Sequence, residues 1–276
     1  NRWIAGEAER TASAVTAGIE EHKYNEAAGA LYRFIWNVYC DWYLELIKPV
    51  LGGEDGPEKS ETRATAAWAF DQILLLTHPF MPFITEELWQ VTGQTGPARQ
   101  SDLILAEWPE ISGLADAKSD EEMEWVIRLV TEIRSVRAEM NVPAGAKIPC
   151  ILTGAGEERQ GWTSRWSEEI KRLARLETIS FAEAAPDGAV QAVMDEGTIA
   201  LPLGDVIDVA AESARLQKEL GKVEGEIKGI KAKLSNEKFT SRAPEHVVEE
   251  QRTRAQEAEA KATRISAALE KLRGAA

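Results

Sequence analysis

Cysteine and histidine are scarce in this 276-residue chain, with two of the first and three of the second. Cys40 and Cys150 stand far apart in apolar contexts with no Cys-x-x-Cys pair, so neither a disulfide framework nor a zinc site is indicated, and a reducing cytoplasm is the expected setting. His22, His78 and His246 have no partner at metal-ligand spacing. The glycine loops that cradle phosphates are missing, both Gly-x-x-x-x-Gly-Lys-Ser/Thr and Gly-x-Gly-x-x-Gly, and so is the Gly-x-Ser-x-Gly nucleophile turn. Carboxylate pairs such as Glu86-Glu87 and Glu168-Glu169 read as solvated helix faces. No apolar run approaches the roughly 20 residues needed to cross a bilayer, and a signal-peptide pattern is absent, so no membrane partner is expected. No enzyme core is expected either. The opening Asn1-Arg2-Trp3-Ile4, without an initiator Met, reads as the interior of a longer protein.

Acidic residues dominate, with 46 Asp and Glu against 32 Lys and Arg and a net charge of −14, but unevenly. From Glu212 onward there are 14 basic and 11 acidic residues, a balance of +3, leaving −17 for the rest. A mildly basic appendage on an acidic body suits contact with RNA phosphates. Long solvated helices are also rich in Lys and Glu, and the excess alone does not separate the two readings.

The periodicities predict a mainly α protein with a small α+β part, in three domains: a helical bundle over 1–118, an α+β connector over 119–210 and a coiled-coil hairpin over 211–276. In the bundle, helices are expected from Ala8 to Ile19, Tyr24 to Leu46 and Glu58 to Leu76, the last stopped by the His78-Pro79 step. A further helix opens at Pro82 and ends at Gly93, with Ile84, Leu88 and Val91 turned inward. In the connector, a helix from Asp120 to Met140 leads to four strand-like runs: Lys147 to Leu152, Thr178 to Phe181, Ala189 to Met194 and Thr198 to Leu203. One helix bearing Trp162, Trp166, Ile170 and Leu173 lies between the first two. Leu216, Leu220, Val223, Ile227, Ile230 and Leu234 then follow a 4-3-4-3-4 spacing, the seam of a coiled coil. After a Pro-containing turn, Val248, Ala255, Ala258, Ala262, Ile265, Leu269 and Leu272 supply a second, Ala-rich seam. A Leu/Ile face opposite an Ala face in one chain favours closure on itself and a monomer, with pairing or swapping between two copies as the alternative. About 24 residues of such an arm would project roughly 35 Å.

The helix from Tyr24 to Leu46 is dense in aromatics. Phe34, Ile35, Val38, Trp42 and Leu46 recur at α-helical spacing as core, while Arg33, Trp36 and Asn37 fall toward other faces. An exposed aromatic beside an arginine can stack an unpaired base.

Three segments, in order along the chain, resemble a known family. His78-Pro79-Phe80-Met81-Pro82-Phe83-Ile84-Thr85-Glu86-Glu87-Leu88-Trp89 is similar to the break in the anticodon-binding bundle of class I aminoacyl-tRNA synthetases for Val, Leu and Ile. Phe34-Ile35-Trp36-Asn37-Val38-Tyr39-Cys40-Asp41-Trp42-Tyr43-Leu44-Glu45 and Ile133-Arg134-Ser135-Val136-Arg137-Ala138-Glu139-Met140-Asn141-Val142-Pro143 resemble the valyl-tRNA synthetases among them. The stretch Lys233-Leu234-Ser235-Asn236-Glu237-Lys238-Phe239, with Ala243-Pro244 and Val247-Val248-Glu249, resembles the turn of their bacterial C-terminal arm. This hairpin and the Cys-Asp-Trp-Tyr stretch disfavour the leucyl and isoleucyl members.

The resemblance implies an anticodon-binding bundle, a connector and an arm that touches the outer corner of tRNA(Val), where the D and T loops meet. It implies a parent enzyme that charges tRNA(Val) with valine using ATP and Mg²⁺. The family's His-x-Gly-His and Lys-Met-Ser-Lys-Ser elements and its editing domain have no counterpart here, so this C-terminal portion is expected to be inert alone and to hold no cofactor or metal. Candidate anticodon contacts, chosen by position and chemistry, are Arg2, Arg33, Trp36 and Asn37. Candidate arm contacts are Lys222, Lys228, Lys231, Lys233, Lys238 and Arg242 for phosphates, with Phe239 either stacking on a loop base or capping the seam.

Overall fold

A computed structural model describes residues 1–96, 98–236 and 244–273. The chain divides into two compact units, Asn1–Ile127 and a second beginning at Arg128. The first is helical: α1 (Arg2–Glu20), α2 (Tyr24–Tyr32), α3 (Leu44–Gly52), α4 (Pro57–Thr77) and α5 (Pro82–Gly93), with a short 3₁₀ turn at Leu103–Leu105. α1 and α2 pack closely because small residues face each other. A methyl group added at Gly18 would stand 2.9 Å from the Cβ of Ala27, and Ala12, Val15, Ala27, Ala30, Leu31 and Leu76 form the core between them and α4. Pro57 and Pro82 open α4 and α5 at positions where a missing N–H costs nothing.

Between α2 and α3 the backbone winds as a π-helix over Arg33–Tyr43, with the Leu44 amide donating to the Tyr39 carbonyl five residues back. This wider winding changes the expected inward set. Phe34 and Leu46 are buried as expected, but Tyr39 and Tyr43 take the places between them, while Ile35, Val38 and Trp42 are only half-buried. The wider turn lengthens the step from Phe34 to the next inward residue, Tyr39, to five residues.

α5 is also rotated relative to expectation. Ile84 and Val91 are 48% and 46% exposed, and the buried residue of the helix is Thr85. Polar ties set this rotation. The His78 ring lies 2.8 Å from the Thr85 hydroxyl. Arg99 donates two bonds to Asp71 on α4, at 2.7 and 2.8 Å, and one to the Thr92 hydroxyl at 2.8 Å. Its guanidinium also covers the Trp89 ring at 3.7 Å. Charge-assisted bonds from Arg99 hold the Thr92 side of α5 toward α4, and the apolar stripe faces outward.

α6 (Ala117–Glu139) continues into the second unit, where Val130, Ile133, Val136 and Met140 are buried. The sheet has strands β1 (Ile148–Thr153), β2 (Leu176–Ala182), β3 (Ala189–Met194) and β4 (Gly197–Pro202) in the order β2-β1-β4-β3. β1 and β2 run parallel, which requires a crossover, and α7 (Glu157–Arg165) with α8 (Ser167–Ala174) provides it. The single helix expected here is two, broken at Trp166. The Arg137 guanidinium is buried against the carbonyls of Pro143, Ala146 and Arg175, which ties α6 to the loop before β1 and to the end of α8. Burial holds its pKa below the usual arginine value, with Arg175 adding to that.

The hairpin consists of α9 (Val209–Leu234) and α10 (Glu245–Arg273), packed on each other. Asp208 caps α9 by accepting from the Ala211 amide at 2.9 Å. Leu216, Val223 and Ile230 are buried, one per heptad, and Leu220, Ile227 and Leu234 are half-buried. The ion pairs Glu219–Lys261 at 2.8 Å and Glu226–Arg254 at 2.6 Å fix the antiparallel register. A mainly α chain with a small α+β part and an antiparallel helical hairpin is therefore what the sequence folds into.

One carboxylate secures the segment leading into α6. Glu9 accepts from the amides of Gly113, Leu114 and Ala115 at 3.0, 2.6 and 2.8 Å, and these bonds hold its pKa below the usual 4.5. A depressed carboxylate stabilises above its unfolded pKa and loses that contribution as pH falls through the folded one. Exchange of these three amides, relative to their intrinsic rates, is expected to be slow at pH 6 and to accelerate as pH drops below the glutamate range. In Glu9→Ala it should be fast at both, and equal protection in that variant would refute the anchoring role.

Candidate nucleic-acid interface

The π-helical stretch positions the first candidate surface. Phe34, Tyr39 and Tyr43 are buried, and Arg33, Trp36 and Asn37 are exposed together on one part of the bundle as their spacing predicts, with Trp36 54% exposed. Tyr32, which the sequence pattern does not single out, belongs with them. It is 62% exposed, and its ring centroid lies 6.4 Å from that of Trp36, at 45°. Tyr32 and Trp36 are four residues apart, as are Arg33 and Asn37, so the two pairs lie side by side on the helix. That spacing from Trp36 is the one sequence signal that points to Tyr32. The Arg33 guanidinium has no ion-pair partner among the described residues. The surface thus offers two aromatic faces, a free cation and a carboxamide, which can stack on bases and bond to their edges.

The fourth bundle candidate, Arg2, sits at the start of α1 and pairs with Asp116 at 3.4 Å, its side chain 82% exposed. Its hydrogen bond and ion pair, among the described residues, are to Asp116 and not to the aromatic group. Beneath that group the inward tyrosines are rigidly placed. The Tyr39 hydroxyl donates to the Ala66 carbonyl at 3.0 Å, and burial pushes its pKa up to about 12. The Tyr43 hydroxyl donates to Asn1 Oδ1 at 3.2 Å. Cys40, half-buried on the same stretch, has its thiol pKa raised by burial, the opposite of what a nucleophile needs.

On the hairpin the candidates divide. Lys222, Lys228 and Lys233 are exposed and have no ion pair among the described residues. Lys231 pairs with Glu259 at 2.6 Å. Lys238, Phe239 and Arg242 lie outside the described residues. Lys218, four residues before Lys222, is exposed and unpaired as well among the described residues. Both line a groove of about 510 Å³ with Arg215, Glu219, Glu226 and Lys261, in which the last four are engaged in ion pairs. The groove therefore presents two free ammonium groups to an anion.

A family model described as "Anticodon-binding domain of tRNA ligase" matches residues 1–152, and another described as "Valyl tRNA synthetase tRNA binding arm" matches residues 208–273. Among curated proteins the chain is similar to a valine–tRNA ligase of Caulobacter vibrioides, 52% identical over 273 residues, covering 99% of this chain and 30% of the relative. The valine–tRNA ligase of Brucella suis is 50% identical over 275 residues, with 100% and 30% covered. That of Bradyrhizobium diazoefficiens is 48% identical over 309 residues, with 100% and 32% covered. The chain spans less than a third of the length of these relatives and aligns with their C-terminal part.

The two classes of aromatic on the π-helical stretch should separate by substitution. Trp36→Ala is expected to change the unfolding free energy by about 0.5 kcal/mol or less. Phe34→Ala, which empties a fully packed site, should cost about 3–5 kcal/mol. Urea denaturation measures both, and a comparable loss in the two variants would show that Trp36 is not a free surface residue.

Proposed function

Because the chain belongs to the valine–tRNA ligase family, we propose that it is the tRNA-holding portion of such an enzyme, with residues 1–118 reading the anticodon, 119–210 connecting, and 211–276 gripping the outer corner of tRNA(Val). The observation that carries this is a coincidence of place. The family match to the anticodon-binding domain contains the exposed Tyr32–Trp36 and Arg33–Asn37 pairs, and the match to the tRNA-binding arm contains the free lysines of α9. Anticodon bases would stack on Trp36 and Tyr32, while Arg33 and Asn37 bond to base edges and the adjoining backbone. The arm would contribute phosphate contacts, which position the RNA and carry no sequence information.

Charging tRNA(Val) with valine, with ATP and Mg²⁺, belongs in this proposal to the part of the enzyme that the chain does not span. Among the described residues no three His, Cys, Asp or Glu side chains are grouped to hold a metal ion, and the sequence has no phosphate-cradling loop. The residues present do not fit those groups, and no activation step is assigned to them. Closure of the α9 seam on α10 supports a monomer. Among the described residues no helix is long and apolar enough to cross a membrane, and a cytoplasmic site of action is part of the same reading.

Binding of the chain to a tRNA(Val) transcript, followed by fluorescence anisotropy, should weaken linearly with salt on a log–log scale, and deletion of residues 211–276 should flatten that slope. Trp36→Ala is expected to cost about 1–3 kcal/mol of binding, the worth of one stacked base. Affinity that is insensitive to salt or to the deletion would overturn the role of the arm. Sedimentation of a concentration-dependent dimer that binds no tRNA would favour a protein-interaction module instead.

A further inference from the structure

α9 has an outer face without a single carboxylate. At about 100° per residue, its buried seam is centred on Leu216, Val223, Ile227 and Ile230. The four acidic residues of the helix are Glu212, Glu219, Glu224 and Glu226. Glu212, Glu219 and Glu226 fall on one flank of the seam and Glu224 falls on the other. The remaining arc, more than half of the circumference, contains Lys218, Lys222, Lys228 and Lys233, all exposed and none in an ion pair among the described residues. The outer side of α10, by contrast, carries the exposed Glu250 and Glu257. In a chain of net charge −14 an acid-free face of this extent is not the ordinary surface.

The same arc holds Gly221, Gly225 and Gly229, one per turn. A methyl group added at Gly221, Gly225 or Gly229 would meet nothing within 4 Å, so no packing among the described residues calls for them. Glycine disfavours a helix interior relative to alanine, and three in register weaken α9. What they provide is a flat strip on which a partner can come down to the helix backbone, with Lys218 and Lys222 at one end of it and Lys228 and Lys233 at the other. Lys218 and Lys233 are 15 residues apart, roughly 22 Å along the axis.

We propose that this outer face of α9, and not α10 or the ion-paired flanks, is the track on which the RNA backbone lies, with Lys218, Lys222, Lys228 and Lys233 holding phosphates over the glycine strip. The proposal rests on the tRNA-binding reading above and refines it. It assigns Lys231, together with Arg254 and Lys261, to closing the hairpin, where their carboxylate partners occupy them. It adds Lys218 to the phosphate-binding set.

Two double substitutions with equal change of charge test it in the full chain. Lys218→Gln with Lys222→Gln is expected to weaken binding to a tRNA(Val) transcript about tenfold and to lower the salt slope by about two, one for each phosphate no longer neutralised. Arg252→Gln with Arg264→Gln, on α10, should stay within twofold of the unsubstituted chain. Equal losses of affinity in the two would overturn the proposal, since charge alone and not this face would matter. A third variant, with leucine at Gly221, Gly225 and Gly229, leaves the charge unchanged and improves helix propensity. It should keep or raise the melting temperature of the hairpin and still lose at least fivefold in affinity, and unchanged affinity there refutes the close approach. If the unsubstituted chain shows no salt-dependent binding to tRNA, the underlying reading fails. If it binds and the α9 variants bind equally well, only the assignment of the face fails.

Discussion

In the first unit the hydrogen bonds of Arg33–Tyr43, running back five residues, determine which side chains meet the core and which meet water. An α-helical winding of the same residues would turn Ile35, Val38 and Trp42 inward, and Tyr39 and Tyr43 would have to leave. The π winding instead buries the two tyrosines, whose hydroxyls find acceptors on Ala66 and Asn1, so their burial does not strand a polar group. Arg33, Trp36 and Asn37 face outward under either winding, so what the π winding sets is the layer of side chains beneath them.

The hairpin meets the same requirement by other means. Its buried stripe is narrow, and its flanking charges are used to hold register, with Glu219, Glu226 and Lys231 each paired across to α10. Exposed ion pairs of this kind are individually weak and screened by salt, so the seam provides the cohesion and the pairs provide alignment. Sequestering carboxylates on the flanks leaves the outer side of α9 positive although the chain as a whole is acidic. An anion is therefore drawn to this side of α9 although the chain as a whole would repel it.

Much of this is legible in the residues themselves, and the exceptions have identifiable causes. Strand β3 falls on Ala189–Met194 as predicted, because a short run with β-branched residues between Gly188 and Gly197 is too short for a helix and suits a strand. The seam at Leu216, Val223 and Ile230 is legible from its spacing. The π winding is not, because no residue preference distinguishes a five-residue hydrogen bond from a four-residue one, and Tyr39 and Tyr43 drop out of the expected core with it. Ile84 and Val91 mislead because hydrophobicity suggests their direction, whereas the rotation of α5 is set by Thr85, Thr92 and the distant pair Asp71–Arg99. The engagement of Lys231 depends on the azimuth of Glu259 on another helix, which spacing within α9 does not contain. Lys218 and Tyr32 are within reach of sequence reasoning, each one helical step from a residue that it selects.

The two halves of the second unit also differ in how long a loop each must close. β1 meets β4 through pairs such as Ile151 with Ala200, 49 residues apart, and it meets β2 only after α7 and α8 have crossed over. α9 and α10 are separated by the ten residues between Leu234 and Glu245 and can zip together from that end. Contacts between near neighbours in sequence form fast, and distant strand pairings wait for a costlier search. On the time axis of folding, the hairpin can therefore exist while the sheet is still open. A complete chain refolding from the denatured state would display a finished helical rod before it has a finished body to carry it.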